Sequence, residues 1–199
     1  MMTLEEEKQL LEKIKENPEF FGKIFDAYYK PMFNYIFHRI ADYDISRDVA
    51  ADTFLKAYLN INSFTWKNVS IITWLYRIAT NEINYYYRKN RVTNLSLDLL
   101  GSQANILFEF DDYQTEKQLI EEELRLNEDF SRVQRSLKKL TVKYQEVLSL
   151  RFFEKKSLKE IAEILDKNEG TIKSLLSRGL DKLKVEYINA TKSETMHYE

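Results

Sequence analysis

The sequence has no cysteine, two prolines, four glycines and two histidines in 199 residues. Without cysteine there is no disulfide framework and no thiolate-held metal, and a reducing compartment is compatible. So little glycine and proline leaves few turn-formers for a sheet protein, and the chain reads as all-α. His38 and His197 stand far apart, one in an expected helix and one in the tail, so neither a histidine metal cluster nor a catalytic triad is suggested. A GxxxxGK phosphate loop, an HExxH pair and a GxSxG elbow are all missing. No metal, cofactor or catalytic residue is therefore expected, and the chain is not read as an enzyme. No apolar run approaches membrane-spanning length, and the start MMTLEEEK is unlike a secretory leader. The expected location is the cytoplasm.

Apolar residues are plentiful: 44% hydrophobic and 14% aromatic content suffices for packed cores. The net charge of −2 looks wrong for a nucleic-acid binder until its distribution is considered. Between Asp98 and Asp129 there are ten acids against Lys117 and Arg125, so this stretch is about eight charges negative. From Arg135 to Lys184 thirteen Lys and Arg face seven acids, leaving about six positive charges. An acidic connector thus separates a near-neutral N-terminal half from a basic C-terminal module.

Residues 3 to 16 read as a helix with Leu10, Leu11 and Ile14 on one side. Asn17 and Pro18 restart the chain as cap and first helical residue. Phe20, Phe21, Ile24, Phe25 and Tyr28 supply an apolar face, and Pro31 is expected to break that helix before Met32, Tyr35, Ile36 and Ile40 continue as another. Asp44 is the expected cap of a helix reaching about Asn60. Its free face shows Asp48, Ala51, Asp52 and Leu55, which fits either ordinary exposure or a docking surface for a basic partner. Residues 61 to 70 form a polar loop carrying Phe64 and Trp66. These two aromatics either fold onto the core, the default reading, or stack on unpaired bases. A helix then runs to about Arg91, with Leu75, Ile78, Ala79, Ile83 and Tyr86 inward. Thr73, Arg77, Thr80, Asn81, Asn84, Tyr87, Arg88 and Arg91 fall on its outer face. Those are hydrogen-bonding and stacking groups rather than the usual Glu and Lys pairs.

Near the C-terminus, Ser157 followed by Glu160 is a capping box, so a helix starts at Leu158. Asn168 can cap another opening at Glu169, where Ile172, Leu175, Leu176, Leu180 and Leu183 recur at helical spacing. Thr171, Lys173, Ser174, Ser177, Arg178 and Asp181 occupy the opposite side. Two short amphipathic helices joined by a tight turn, the second basic and hydroxyl-rich on its free face, describe a DNA-binding helix-turn-helix.

Three stretches in this order resemble the sigma-70 family of bacterial RNA polymerase initiation factors, and the compact size resembles its extracytoplasmic-function (ECF) group. They are SRDVAADTFLKAY at 46 to 58, TWLYRIATNEINYYYRKNR at 73 to 91, and LRFFEKKSLKEIAEILDKNEGTIKSLLSRGLDKLK at 150 to 184. The resemblance implies two small helical domains: residues 1–92 like sigma region 2 and residues 130–190 like region 4, joined by an acidic flexible linker over 93–129. It implies that Asp48, Ala51, Asp52 and Leu55 dock on the beta-prime coiled coil of core RNA polymerase. Phe64, Trp66, Arg77, Asn81, Asn84 and Arg88 would melt and read the minus-ten promoter element. Arg151, Thr171, Lys173, Ser174, Ser177 and Arg178 would read the minus-thirty-five element while the module rests on the beta flap. It also implies an anti-sigma partner, which could hold the factor at the membrane. The chain departs from the family where Ala51 replaces a common Gln, Asp166 a usual turn Gly, and Gly179 a small Ala. The competing expectation is a free-standing helix-turn-helix regulator whose N-terminal half senses a ligand or dimerises.

Overall fold

The computed structural model describes residues 2–66, 69–93 and 128–195, and every regular element among them is helical. Four helices build the N-terminal half: α1 Leu4–Glu16, α2 Gly22–Ile40, α3 Tyr43–Asn60 and α4 Ile71–Thr93. Thr3 and Glu6 close a capping box on α1, the Thr3 side chain taking the Glu6 N–H while the Glu6 carboxylate takes the Thr3 N–H. Leu10, Leu11 and Ile14 are buried as expected. A single turn, Pro18–Phe21, with Asn17 as its cap, leads into α2.

Two boundaries differ from the sequence expectation. Pro31 does not break α2, which runs unbroken through it for 19 residues. Proline removes one N–H from the helical ladder, but Tyr28, Met32, Tyr35 and Ile36 bury almost completely on either side of it. That burial outweighs the local defect. The cap of α3 is Asp42, whose carboxylate accepts the Ile45 N–H at 3.0 Å, while Asp44 lies in the first turn. Either Asp could serve by spacing. Ala41 in a left-handed conformation (φ 54°) ends α2 and leaves Asp42 in the extended cap geometry.

Aromatic rings fill the α2–α3 contact: Phe25 meets Phe54 edge-on at 5.0 Å, and Phe33 meets Tyr43 at 5.2 Å. On the α4 side, Tyr35 packs edge-on against Tyr76 and shares a 2.8 Å hydrogen bond with Thr80.

The C-terminal half holds α5 Glu128–Lys139, α6 Val142–Leu148, α7 Leu158–Leu165 and α8 Glu169–Thr195. After α6 the chain widens into a π-helical turn, Ser149–Phe153. Ser157 and Glu160 make the predicted capping box on α7, and Asn168 Oδ1 takes the Thr171 N–H at 2.7 Å to start α8. Asp166 sits between them at φ 53°, a left-handed conformation that glycine adopts with less strain. Gly179 lets α8 approach α6 closely, because a Cβ there would meet Leu148 Cδ1 at 3.3 Å and Tyr144 Cδ1 at 3.4 Å. The buried stripe on α8 is shorter than its spacing suggests: Ile172, Leu175 and Leu176 are buried, whereas Leu180 is exposed and Leu183 half-buried. Helix α8 packs on α5 and α6 as well as on α7, yet Leu180 faces away from these contacts. The expected acidic linker lies mostly outside the described residues.

The two halves pack on one another. Helix α4 lies against α7, and α2 lies against α5 and the π-helical turn. This seam was not foreseen.

Candidate nucleic-acid interface

On α3, Asp48, Asp52 and Leu55 are exposed and Ala51 is partly covered, so the four expected docking residues share one accessible face. Partial burial is the largest influence on both carboxyls and raises their pKa. Asp44 and Asp42 reinforce it at Asp48 against the neighbouring Arg47. Glu82 reinforces it at Asp52 against Lys56. Lys56 itself is committed to Glu82, 2.7 Å away. The patch is thus an acidic face whose carboxyls are partly buried yet open to solvent.

The 61–70 loop begins with a single turn, Ile61–Ser63. Phe64 and Trp66 are both half-buried against the core, and Phe64 lies 4.8 Å from Trp74 of α4, ring centre to ring centre. A cavity of about 470 Å³ opens beside them, walled by Phe64, Ser70, Trp74 and Arg77 from the N-terminal half and by Glu163 and Asp166 from the C-terminal half.

The outer face of α4 is less free than its composition implies. Thr80 is buried on Tyr35, and Tyr87 donates to the Arg39 carbonyl at 2.6 Å. Arg77 donates to the carbonyls of Glu163 (2.5 Å) and Ile164 (3.3 Å) at the end of α7. Asn84 Nδ2 donates to the buried Glu146 carboxylate at 2.8 Å. Asn81 and Arg88 remain exposed. A polar helix face can serve solvent, nucleic acid or another polar surface of the same chain, and periodicity alone does not separate the three.

At the seam's centre stands Glu154, displayed by the π-helical turn. Its Oε1 is 3.1 Å from His38 Nδ1, and its Oε2 accepts the Tyr76 hydroxyl at 2.9 Å. Burial, then the Glu154 carboxylate, pushes the Tyr76 phenol far above its ordinary pKa. The His38 ring stacks on Phe153 at 4.6 Å and meets Phe130 edge-on. None of His38, Tyr76, Glu146 or Glu154 was singled out for this role in the sequence, because residues 38, 76 and 154 are too far apart for any spacing rule.

In the helix-turn-helix, Thr171, Lys173, Ser177 and Arg178 are exposed and Ser174 partly so, opposite the buried Ile172, Leu175 and Leu176. Arg178 folds back onto the Ser174 carbonyl (3.2 Å) and hydroxyl. Arg151 lies elsewhere: its guanidinium donates to the Lys156 carbonyl at 2.8 Å, bracing the turn before α7. No group of His, Asp and Glu among the described residues could hold a metal ion, and none of the described helices is long and apolar enough to cross a membrane.

Comparison with known proteins agrees with this architecture. Residues 24–93 match the family model for sigma-70 region 2, and residues 130–183 match that for sigma-70 region 4. The chain is 30% identical over 178 residues to the ECF RNA polymerase sigma factor SigW of Bacillus subtilis (strain 168), covering 89% of this chain and 94% of that one. Among solved structures, it resembles CnrH in complex with the cytosolic domain of CnrY (TM-score 0.62, 19% identity, 90% of this chain and 95% of that one). It also resembles the sigma factor RpoE bound to the anti-sigma factor NepR from Bartonella quintana (TM-score 0.58, 21% identity, 83% and 95%). At these identities the two structures speak for the fold. With region 2 and region 4 both matched in order on an all-helical chain, this protein belongs to the sigma-70 family as an ECF sigma factor, a non-enzymatic factor for promoter recognition by RNA polymerase.

Proposed function

We propose that residues 1–92 dock on core polymerase and open the promoter, while residues 130–190 read its upstream element. Asp48, Ala51, Asp52 and Leu55 would meet the beta-prime coiled coil; their shared exposed face and solvent-open carboxyls support this. Phe64, Trp66, Arg77, Asn81, Asn84 and Arg88 would engage the minus-ten strand, where aromatic rings can stack on unpaired bases. Thr171, Lys173, Ser174, Ser177 and Arg178 would read the minus-thirty-five element from the free face of α8, with the module resting on the beta flap. Arg151 would then serve on phosphate or as a brace. The observation that carries this reading is the helix-turn-helix itself. Its second helix buries one side and leaves a basic, hydroxyl-rich side open, as major-groove reading requires.

The seam adds a condition. Arg77 and Asn84 are occupied by the C-terminal half, so promoter engagement through them requires the two halves to part. An anti-sigma factor is the expected restraining partner, supported by the resemblance to RpoE held by NepR. The factor would act where core polymerase is, in the cytoplasm. The free-standing regulator is not favoured, since its operator binding would need no polymerase.

Run-off transcription of genomic DNA with purified core polymerase tests the whole reading, and should map start sites that require this chain. The double substitution Asp48→Lys and Asp52→Lys should abolish co-purification with core polymerase while the circular dichroism spectrum stays native. Undiminished co-purification would move the docking site elsewhere.

A further inference from the structure

Glu7 is the most thoroughly bonded carboxylate among the described residues, and neither its position in the sequence nor the matched family regions explain it. It sits in the first turn of α1, ahead of the region 2 match at residues 24–93, and is 1% exposed. One oxygen, Oε1, accepts the Tyr28 hydroxyl and the Ser70 hydroxyl, the latter at 2.6 Å. The other, Oε2, accepts the Ile71 N–H at 2.9 Å. Three donors from α2, the 61–70 loop and the start of α4 therefore converge on a single side chain. Burial and the Glu7 bond push the Tyr28 phenol well above its ordinary pKa, so it remains a donor at any physiological pH.

The location of this knot gives it meaning. Ser70 is the last residue of the loop carrying Phe64 and Trp66, and it also lines the cavity beside Phe64 and Trp74. Its carbonyl accepts the Thr73 N–H at 3.0 Å and its hydroxyl the Ile72 N–H at 3.4 Å, so it starts α4 as well as ending the loop. The first N–H groups of a helix have no partner inside the helix, and a carboxylate there meets both the open donors and the positive end of the helix dipole. Glu7 fills that place from outside the loop, on a helix whose own first turn is locked by the Thr3–Glu6 capping box. A surface loop with polar residues would otherwise be free to shift relative to α4. The opposite end of the loop is tied by the Phe64 N–H to the Ile61 carbonyl at 3.1 Å and by the Ser63 hydroxyl to the Asn60 carbonyl at 2.8 Å.

We infer that Glu7 is a positioning residue for promoter opening: it holds Ser70 and the start of α4, whose Trp74 carries the Phe64 ring, so that this aromatic is presented in one fixed geometry. The inference rests on the proposed minus-ten role of the 61–70 loop. It assigns to α1 a part in DNA melting without requiring α1 to touch DNA. A ring already held against α4 enters the opened strand without first being ordered, which is where preorganisation adds to affinity. Glu7 acts through Ser70.

The test uses the full chain in holoenzyme with core polymerase. Glu7→Gln keeps the volume but presents an NH2 group to at least one of the three donors. Ser70→Ala removes only the loop-side hydroxyl and leaves Glu7, Tyr28 and Ile71 in place. Permanganate reactivity of thymines on a duplex promoter should fall roughly tenfold in extent or rate for Glu7→Gln, the size expected when a hydrogen bond to a charged group is lost. Ser70→Ala should show a smaller fall in the same direction. Both variants should initiate like the wild type from a template with a pre-melted bubble, and both should co-purify with core polymerase undiminished. A merely structural role would lower all three readouts together, and that outcome overturns the inference. So does wild-type melting by both variants. Phe64→Ala and Trp66→Ala run alongside separate the two levels of the argument. If these melt poorly while Glu7→Gln melts normally, only the positioning role falls. If all four melt normally, the loop's role in opening falls too, and the inference with it.

Discussion

Two buried polar clusters in this protein are built to opposite standards. Around Glu7, three donors meet two carboxylate oxygens and every partner belongs to the N-terminal half. Along the seam between the halves, the bookkeeping is incomplete. Asn84 Oδ1 and Ser149 Oγ are buried without a hydrogen-bond partner among the described residues, and so are Nε and Nη2 of Arg39, which lies 1% exposed at the end of α2. Arg39 has a single bond of 3.3 Å to Tyr35, besides the favourable end of the α2 dipole. A buried polar group left unpaired costs about 1–3 kcal/mol, so the seam carries a standing penalty that the Glu7 knot does not. The first is a fully satisfied junction and the second is not, in keeping with the proposed use of Arg77 and Asn84 on promoter DNA.

The largest effect expected is at the knot. Glu7→Ala strands three donors, and should lower the unfolding free energy by about 3 kcal/mol in chemical denaturation. A loss below 1 kcal/mol would erase the contrast. At the seam, Glu154→Ala removes the shared acceptor of His38 and Tyr76, worth about 1–2 kcal/mol of closure, without touching either core. Because the chain has no cysteine, dyes on Asn62→Cys and Lys167→Cys report the distance between halves without background labelling. The separation should grow in the Glu154→Ala chain while helicity stays constant. An unchanged separation would make the seam as permanent as the knot.

Arg39→Met sharpens the comparison further. Replacing a poorly paired buried charge by an apolar chain of similar length is often neutral or stabilising, so the cost should stay under about 1 kcal/mol. A loss of 3 kcal/mol would mean the guanidinium is satisfied after all. The smallest effect is at the proposed docking face. The folded pKa of Asp52 is raised, chiefly by partial burial, so its ionised form weakens the fold. That penalty is absent below the unfolded pKa and grows as pH rises through the folded one. Asp52→Asn should therefore match wild-type stability in acid and exceed it at neutral pH, by no more than about 0.5 kcal/mol, while binding polymerase less well. Equal stability at both pH values would show that the burial is too slight to matter.

Much of the helical framework could be read directly from residue order. The α7 capping box, the Asn168 cap of α8, the buried sides of α1 and α3, and the open face of Lys173, Ser177 and Arg178 all follow from local chemistry, which acts over a few residues. Resemblance in three stretches carried the family. Helix α2 shows where local rules give way, since Pro31 is a breaker by propensity and a passenger in a helix buried on both sides of it. Asp44 is the expected cap of α3, but the left-handed Ala41 puts Asp42 in the cap position instead. Leu180 and Leu183 keep the helical period, yet Leu180 is exposed and Leu183 is only half-buried against the core.

What the sequence determined by itself is the set of helices, the caps, the charge division and the helix-turn-helix, because each depends on neighbours within about one or two turns. What only the tertiary structure decided is which polar groups face each other across the chain. Glu7 looks like any acidic residue in a first turn, and becomes a knot only when α1 brings it to Ser70 and Ile71. Arg77 and Asn84 look solvent-facing until α7 and α6 close over them. Glu154 meets His38 and Tyr76 because a π-helical turn points it there. Partner identity is a property of packing at long range, and no periodicity in the chain encodes it.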